Sequence, residues 1–326
     1  MEMIKELDAK RALSVRAKLE QVRANIKRVI KGKDEVINQV LICMIGGGHV
    51  LLEDLPGLGK TTLAYCLARS INADFKRIQF TSDLLPSDVI GVSVWDEHRR
   101  EFVFKEGPLF TNILLADEIN RTTPKTQSAL LEAMDRGRIS VEGKTLILGQ
   151  PFLVFGTQNP VDFEGTFPLP ESQMDRFLMR LQMGYPNYAD ELSILQRGAV
   201  SYDSIELEPI IEEAELVEMQ ALRMDVFVED SVLEYILKLV TATRTESELR
   251  VGVSTRGTLA LKTAAQATAL LNGRSFVIPS DVSGVVTAVF THRLSLKQQT
   301  SDLLEERRVV EGILNTIVEQ TPEPLL

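Results

Sequence analysis

Asp-Leu-Pro-Gly-Leu-Gly-Lys-Thr, at residues 54–61, is the stretch that decides the fold. It follows the apolar residues 50–52 and precedes a helix-forming run that ends at Ile71. A strand, a glycine-rich turn and Gly-Lys-Thr at a helix start form a P-loop, whose main-chain N–H groups and helix dipole face a phosphate chain. In such a loop Lys60 reaches the β- and γ-phosphates and the Thr61 hydroxyl ligates Mg²⁺. The nucleotide-binding residues predicted here are Pro56, Gly57, Leu58, Gly59, Lys60, Thr61 and Thr62.

The first position of this loop departs from the usual pattern. A strict P-loop begins with glycine, and this chain has Asp54 there. A carboxylate aimed at a triphosphate would repel it, so we expect the Asp54 side chain to turn outward, away from the nucleotide.

A second strand-like run, residues 113–116, ends in Asp117 and Glu118. Four apolar residues that deliver two carboxylates to a strand end are typical of a Walker B motif. Asp117 is then expected to hold the Mg²⁺ shell and Glu118 to polarise the attacking water. Taken alone, the run is equally consistent with a strand that ends in two solvated acids.

A third strand-like run, residues 152–157, is followed by Asn159 and Pro160. The Asn159 amide can orient the attacking water, although Asn before Pro also favours a plain turn. Three strands that each end in polar side chains fit ligand binding at the carboxyl edge of an open α/β sheet.

Composition limits the class of protein. The 326 residues are 44% hydrophobic, enough for two domains, and no apolar run approaches the 18 or so residues that span a bilayer. The charged residues 1–10 lack an apolar signal segment, and Cys43 and Cys66 have no metal-ligand spacing, so we expect a cytoplasmic chain with buried free thiols. A net charge of −10 argues against nucleic acid as a partner.

The chain divides near Pro186. Before it, segments 91–104 and 139–146 resemble hairpins and residues 124–136 a helix. After it, helical periodicity dominates, with helices expected at 212–222, 231–243, 256–271 and 280–292. The predicted fold is therefore an α/β P-loop core at residues 1–186 with a helical domain at residues 187–326.

The amino-acid sequence of several segments resembles that of the MoxR family of AAA+ ATPases, and the resemblance extends across about residues 28–295. The segments that carry the resemblance are Phe-Thr-Ser-Asp-Leu-Leu-Pro-Ser-Asp-Val-Ile-Gly at 80–91, Glu-Gly-Pro-Leu-Phe at 106–110, Ala-Asp-Glu-Ile-Asn-Arg at 116–121, Thr-Gln-Asn-Pro at 157–160 and Glu-Gly-Thr-Phe-Pro-Leu-Pro-Glu at 164–171. The resemblance implies an AAA+ core, a parallel sheet sandwiched by helices, with a C-terminal helical lid. It also implies that segment 91–104 is the insert in helix 2 that is shared with magnesium chelatase and minichromosome maintenance helicases.

The same resemblance assigns roles residue by residue. Val29 and Ile30 match the adenine pocket, Asn159 matches sensor 1, Arg176 matches the arginine finger that serves the neighbouring subunit, and Arg256 matches sensor 2. From the residues alone, an ion pair at a helix end is the favoured interpretation of Arg176. Arg256 is a cation near a helix start, which suggests an anion partner, and simple exposure is the alternative. Thr255 stands where the family often has proline.

The resemblance further implies a chaperone-like ATPase that uses ATP and Mg²⁺. It implies a hexameric ring, an unknown protein client and a partner with a von Willebrand A domain. The alternative from another class is a nucleic-acid motor, since the same clade contains helicases. Three other groups are expected to lie outside the site: the loop acids Asp162 and Glu164, the loop residue Arg121, and the scattered histidines His49, His98 and His292.

Overall fold

The computed structural model describes residues 9–160, 165–198, 201–298 and 303–324. Asp162 and Glu164, expected to be loop acids, lie outside the described residues. The strands, numbered along the chain, are β1 (Val50–Glu53), β2 (Phe75–Gln79), β3 (Gly91–Asp96), β4 (Glu101–Glu106), β5 (Ile113–Asp117), β6 (Arg138–Val141), β7 (Lys144–Ile147), β8 (Leu153–Gln158), β9 (Met179–Leu181), β10 (Leu249–Val251) and β11 (Ser295–Leu296).

Helices are interspersed with the strands in the first half of the chain and predominate in the second half, where Phe290 is followed by a 3₁₀ turn at Thr291–Arg293. They are α1 (Ala9–Lys27), α2 (Asp34–Ile45), α3 (Lys60–Ser70), α4 (Pro86–Ile90), α5 (Pro124–Arg136), α6 (Glu171–Met174), α7 (Tyr188–Arg197), α8 (Glu213–Met224), α9 (Asp230–Thr245), α10 (Thr255–Leu271), α11 (Pro279–Ser283), α12 (Val286–Phe290) and α13 (Leu303–Gln320).

A parallel five-stranded sheet in the order β2-β5-β8-β1-β9 forms the centre of the first half. All residues of β1 and β8 are buried, as are the first four of β5, which is the burial that a parallel sheet covered on both faces requires. Because the strands are parallel, the P-loop, Asp117 and Asn159 all follow carboxyl ends and lie at one edge of the sheet. The α/β class predicted from the sequence is confirmed.

The opposite, amino edge of the sheet is marked by His49, which precedes β1. Its carbonyl oxygen accepts the Leu178 N–H at 2.8 Å, just before β9, and its Nε2 lies 3.0 Å from the Met134 carbonyl oxygen in the last turn of α5. The C-terminal end of α5 and the N-terminal end of β9 therefore meet at this amino edge.

Both predicted hairpins are present. β3 pairs with β4 and β6 pairs with β7, each antiparallel. On the first hairpin the rings of Trp95 and Phe102 pack edge to face with centroids 5.3 Å apart, and 50% and 69% of these residues are exposed. The hairpin therefore presents an aromatic pair to solvent.

The single helix expected at residues 280–292 is wrong. The chain there forms α11, α12 and a 3₁₀ turn, with a break at Gly284 and Val285. Apolar periodicity continues across the break because Val282, Val285 and Val286 are all buried. Periodicity alone therefore could not show where the hydrogen-bond ladder stops.

The C-terminal helix α13 is fastened to the end of β1 by a buried charge cluster. Glu53, 1% exposed, accepts Arg180 Nε at 2.5 Å and lies 3.3 Å from Arg307 Nε. Burial acts to raise the pKa of Glu53, but Arg307 and Arg180 outweigh it and hold the pKa below its ordinary value. Removing one member of such a buried cluster leaves an unpaired charge, so α13 is an integral part of the fold.

The buried free thiols expected from the sequence are confirmed. Cys43 and Cys66 are buried free thiols. Within the described residues no helix is long and apolar enough to cross a membrane.

Candidate functional site

The P-loop connects β1 to α3 through two left-handed glycines. Gly57 has φ +83° and Gly59 has φ +88°, conformations that other residues adopt only with strain. Thr61 and Thr62 lie in the first turn of α3 and are partly exposed. This geometry leaves the helix N-terminus open toward a phosphate chain, as the sequence pattern predicts.

Lys60 is held above this loop. Its Nζ donates to the Asp54 carbonyl oxygen at 2.8 Å. Partial burial lowers the pKa of Lys60 below its ordinary value, against the opposing effect of Asp54, Asp117 and Glu118. The ammonium therefore lies among three carboxylates and is within electrostatic reach of both Walker B acids.

Asp54 was expected to turn outward, away from the nucleotide, and the outward part of that expectation is wrong because the side chain is buried. The residue is 8% exposed, and its carboxylate accepts the main-chain N–H of Met183 and that of Gly184, the latter at 3.2 Å. Burial raises the pKa of Asp54 against these hydrogen bonds, which act to lower it. The sequence could not show this orientation, because residues 183 and 184 reach the P-loop only through the pairing of β9 with β1.

Asp117 ends β5 and is fixed on both oxygens. Oδ1 accepts the Thr157 hydroxyl at 2.6 Å, and Oδ2 accepts Arg77 Nη2 at 2.6 Å. Arg77 projects from the neighbouring strand β2. These two hydrogen bonds fix the orientation of the Asp117 carboxylate and place the Arg77 guanidinium beside it.

Glu118 follows in a left-handed conformation with φ +57°, which is uncommon for a residue other than glycine. Its N–H donates to Thr157 Oγ1 at 2.9 Å, so the same threonine positions both acids. The carboxylate accepts Gln79 Nε2 at 2.9 Å and pairs with Arg121 Nε at 2.9 Å. The backbone conformation and three polar partners together fix the direction of this carboxylate.

The remaining residues expected near a nucleotide lie around this edge. Asn159 follows β8 and is 9% exposed. Ile30, Met183 and the partly buried Val29 and Leu58 belong to one apolar cluster, which joins the predicted adenine-pocket residues to the P-loop. These apolar side chains can contact a base, while the oxygens of Asp117 and Thr61 suit a hard cation such as Mg²⁺.

Arg176 and Arg256 lie close together, and both pair with Asp135 rather than with a Walker B acid. Arg176 Nε lies 3.1 Å from Asp135 Oδ2, and Arg256 Nη2 lies 2.5 Å from Asp135 Oδ1. A second tie holds α10 beside Arg176, since the hydroxyl of Ser254, the N-cap of α10, donates to Asp175 Oδ2 at 2.8 Å.

This arginine pair lies at the amino edge of the sheet. Asp135 follows Met134, which contacts His49, and Arg176 precedes β9 by three residues. A four-residue strand such as β1 spans about 13 Å, and that length separates the backbone at the amino edge from the start of the P-loop. The four groups Lys60, Asp117, Glu118 and Asn159 form one cluster, and the two arginines form another.

Several polar residues of both clusters were not found from the sequence. Arg77 and Gln79 alternate along β2, and β2 lies beside β5 with Gln79 opposite Asp117. That alternation is a signal, but it becomes meaningful only once the strand order is known. The same holds for Thr157 and Asp135, whose partners come from distant segments.

Comparison with known proteins matches this architecture. The sequence profile of the ATPase family associated with various cellular activities (AAA) matches residues 49–179, and that of the AAA lid domain matches residues 241–313. The first range spans the P-loop and both hairpins, and the second includes Arg256.

Full-length relatives agree. YeaC of Bacillus subtilis is 47% identical over 90% of this chain and 92% of its own length. The protein named Chaperone MoxR1, of Mycobacterium tuberculosis, is 38% identical over 94% of this chain and 82% of its own length. The crystal structure of an ATPase candidate from Cytophaga hutchinsonii superposes with a TM-score of 0.83 at 37% identity, covering 94% of this chain and 96% of that one. With a P-loop core, a matching lid and relatives of this closeness, the chain is an ATP hydrolase that belongs to the MoxR family of AAA+ ATPases.

Proposed function

We propose that this protein hydrolyses ATP in order to remodel or mature protein clients. The observation that supports ATP hydrolysis is the cluster of Lys60, Asp117, Glu118 and Asn159 at the carboxyl edge of the sheet. The observation that favours a protein client is the similarity over almost the whole chain to a relative named as a chaperone. The net charge of −10 weighs against the alternative of a nucleic-acid motor.

In this proposal the phosphates lie against the P-loop residues 56–62, and the base lies against Val29 and Ile30. Lys60 moves from the Asp54 carbonyl oxygen to the β- and γ-phosphates. Asp117 and Thr61 supply oxygen ligands to Mg²⁺, which neutralises charge on the phosphates. These donors fit that ion, because both are hard oxygens.

Glu118 acts as the base that takes up the proton of the attacking water, and Asn159 orients that water. Gln79 and Arg121 both contact Oε2 of Glu118, which leaves Oε1 as the oxygen that takes up the proton. Water attacks the γ-phosphorus in line as the bond to the ADP oxygen breaks, so ADP and inorganic phosphate are released without a covalent intermediate.

Arg176 and Arg256 act on the nucleotide of the neighbouring subunit, because they project from the sheet edge opposite to their own P-loop. Such a division of labour requires a ring, which we propose is a hexamer. The functional division we propose is an ATPase core at residues 1–186 and a lid at residues 187–326. A partner with a von Willebrand A domain and a cytoplasmic location complete the proposal and rest on the family resemblance.

The test is a substrate trap. A Glu118→Gln ring loaded with ATP should retain clients, because it binds nucleotide but does not release its cargo through turnover. The matched control is Glu218→Gln, which alters an exposed acid of α8 away from the Walker B motif and the arginine pair. Enrichment of the same proteins, including one with a von Willebrand A domain, only in the Glu118→Gln sample supports the proposal. Enrichment of nucleic acid without protein would favour the motor instead.

A further inference from the structure

The buried carboxylate of Asp54 holds main chain that belongs to another part of the molecule. Its two oxygens accept the N–H groups of Met183 and Gly184. These two residues lie just beyond the end of β9, in residues 182–187, called the linker below, which lead into α7. The linker is the path by which the sheet continues into the helical second half of the chain.

The main chain of the same residue contacts the catalytic edge. The Asp54 carbonyl oxygen accepts Lys60 Nζ at 2.8 Å, and the Asp54 N–H donates to the Gln158 carbonyl oxygen at 3.3 Å, next to Asn159. One residue thus touches the ammonium that is proposed to bind phosphate, the strand that carries Asn159, and the linker.

The linker is fastened on its other side as well. Lys33 Nζ donates to the Tyr185 carbonyl oxygen at 2.7 Å, shortly after the predicted adenine-pocket residues Val29 and Ile30. Gly184 has φ +61°, so the turn between these two attachments favours glycine. The linker is therefore held by its own backbone on both the phosphate side and the base side of the site.

We propose that Asp54 is a positioning residue that couples phosphate binding at Lys60 to the position of the linker. The inference rests on the proposed binding of ATP at the P-loop. When Lys60 moves to a phosphate, the Asp54 carboxylate exchanges a nearby positive charge for a negative one. Because that carboxylate holds two N–H groups by charge-assisted hydrogen bonds, the change reaches the linker directly.

Glycine, the usual residue at this position, has no side chain and cannot make this connection. The substitution Asp54→Gly therefore keeps the P-loop backbone while removing the coupling. Asp54→Asn is the conservative variant, because it retains an acceptor oxygen without the charge. Lys33→Met is the matched control, since it releases the other side of the linker without touching the P-loop.

The experiment is hydrogen–deuterium exchange of the full chain, followed in peptides that cover residues 182–187, with and without adenylyl imidodiphosphate. In the wild type, exchange at the linker should change when the analogue binds. In Asp54→Gly the amides of Met183 and Gly184 should exchange about tenfold faster or more, since two charge-assisted hydrogen bonds are lost. The response to the analogue should disappear in that variant, persist in Lys33→Met and be reduced in Asp54→Asn.

Affinity for the analogue, measured on the same samples, separates coupling from binding. Asp54→Gly should bind within about tenfold of the wild type, equivalent to about 1.4 kcal/mol. An undiminished exchange response in Asp54→Gly would overturn the inference, and so would a hundredfold gain in affinity, which would make the acid a brake on binding. If the wild type binds no analogue, the proposed function is wrong. If the wild type binds the analogue but exchange at the linker does not change, only the proposed coupling through Asp54 is wrong.

Discussion

Arg176 and Arg256 contact the two oxygens of one carboxylate, that of Asp135, although one arginine precedes β9 and the other lies in the first turn of α10. Their side chains are 26% and 48% exposed, so the pair faces solvent at the amino edge of the sheet. Two guanidinium groups on a single acid leave a net positive charge there. A site of that kind has spare capacity for an anion, and the P-loop of the same chain lies at the opposite edge.

The first prediction concerns catalysis between subunits. Arg176→Ala should assemble and bind ATP but hydrolyse it poorly, since an arginine supplied by a neighbour is worth roughly 10³–10⁵ in rate in other P-loop enzymes. Mixing this variant with Glu118→Gln should restore activity, because Arg176 of the second chain can serve Glu118 of the first. The measurement is ATPase activity of the mixture, after mixed rings have been shown to form.

Dilution supplies the control for that prediction. If the arginine acts between subunits, turnover per chain should fall steeply as the ring dissociates. Turnover that stays constant down to the monomer, or mixed rings that remain inactive, would refute the arrangement.

The second prediction follows from the shared acid. Because Arg176 and Arg256 form one cluster, their losses should not add, and the double Ala variant should be little slower than Arg176→Ala alone. The matched control is Arg250→Ala, which removes a neighbouring exposed arginine that pairs with Glu171 instead. The readout is kcat at saturating ATP, and full additivity of the two losses would show that the arginines act independently.

The third prediction concerns the Walker B acids. Glu118→Gln should bind ATP normally and lose about 10²–10⁴ in turnover, the usual contribution of a general base. Glutamine retains an acceptor for Gln79 and is nearly isosteric, so the loss should appear in kcat and not in stability. Binding is checked with a fluorescent nucleotide, turnover by phosphate release, and near wild-type turnover would remove Glu118 from the mechanism.

The parts of the site that the sequence predicts are those in which chemistry and position lie in one short segment. The P-loop, the acids after β5 and Asn159 after β8 each follow a buried strand, so the strand and its polar end appear together. The parallel pairing that gathers them is typical of α/β proteins.

The parts that the sequence misses depend on where distant segments meet. Asp135 has no motif of its own, and its role arises because α5 ends beside the start of β9. Asp54 was expected to turn outward because a single residue was weighed against a nucleotide, without the Met183 and Gly184 amides that β9 delivers. Gln79 likewise gains meaning only from its register with Asp117.

The last prediction concerns pH. His49 Nδ1 accepts the Val154 N–H at 3.0 Å, so its Nε2 carries the proton that is donated to the Met134 carbonyl oxygen. Burial lowers the pKa of His49 from 6.5 to about 4, and burial also lowers the pKa of the buried His292. Protonation of Nδ1 would break the bond to Val154, which is why the folded chain resists it.

The sign follows from these values. The unfolded chain takes up a proton on this histidine below pH 6.5, whereas the folded chain does so only near pH 4. The His49 contribution to the free energy of unfolding is therefore complete above pH 6.5 and is lost as the pH falls from 6.5 toward 4. For His49 alone the loss should reach about 2 kcal/mol by pH 5.

The measurement is the free energy of unfolding in urea between about pH 7.5 and about pH 5, because carboxylate titration dominates at lower pH. His49→Gln can keep both hydrogen bonds but cannot titrate, so its stability should fall less steeply with pH than that of the wild type. His98→Gln, which changes an exposed histidine, should follow the wild-type curve. Identical slopes for all three proteins would show that His49 is not held neutral by the fold.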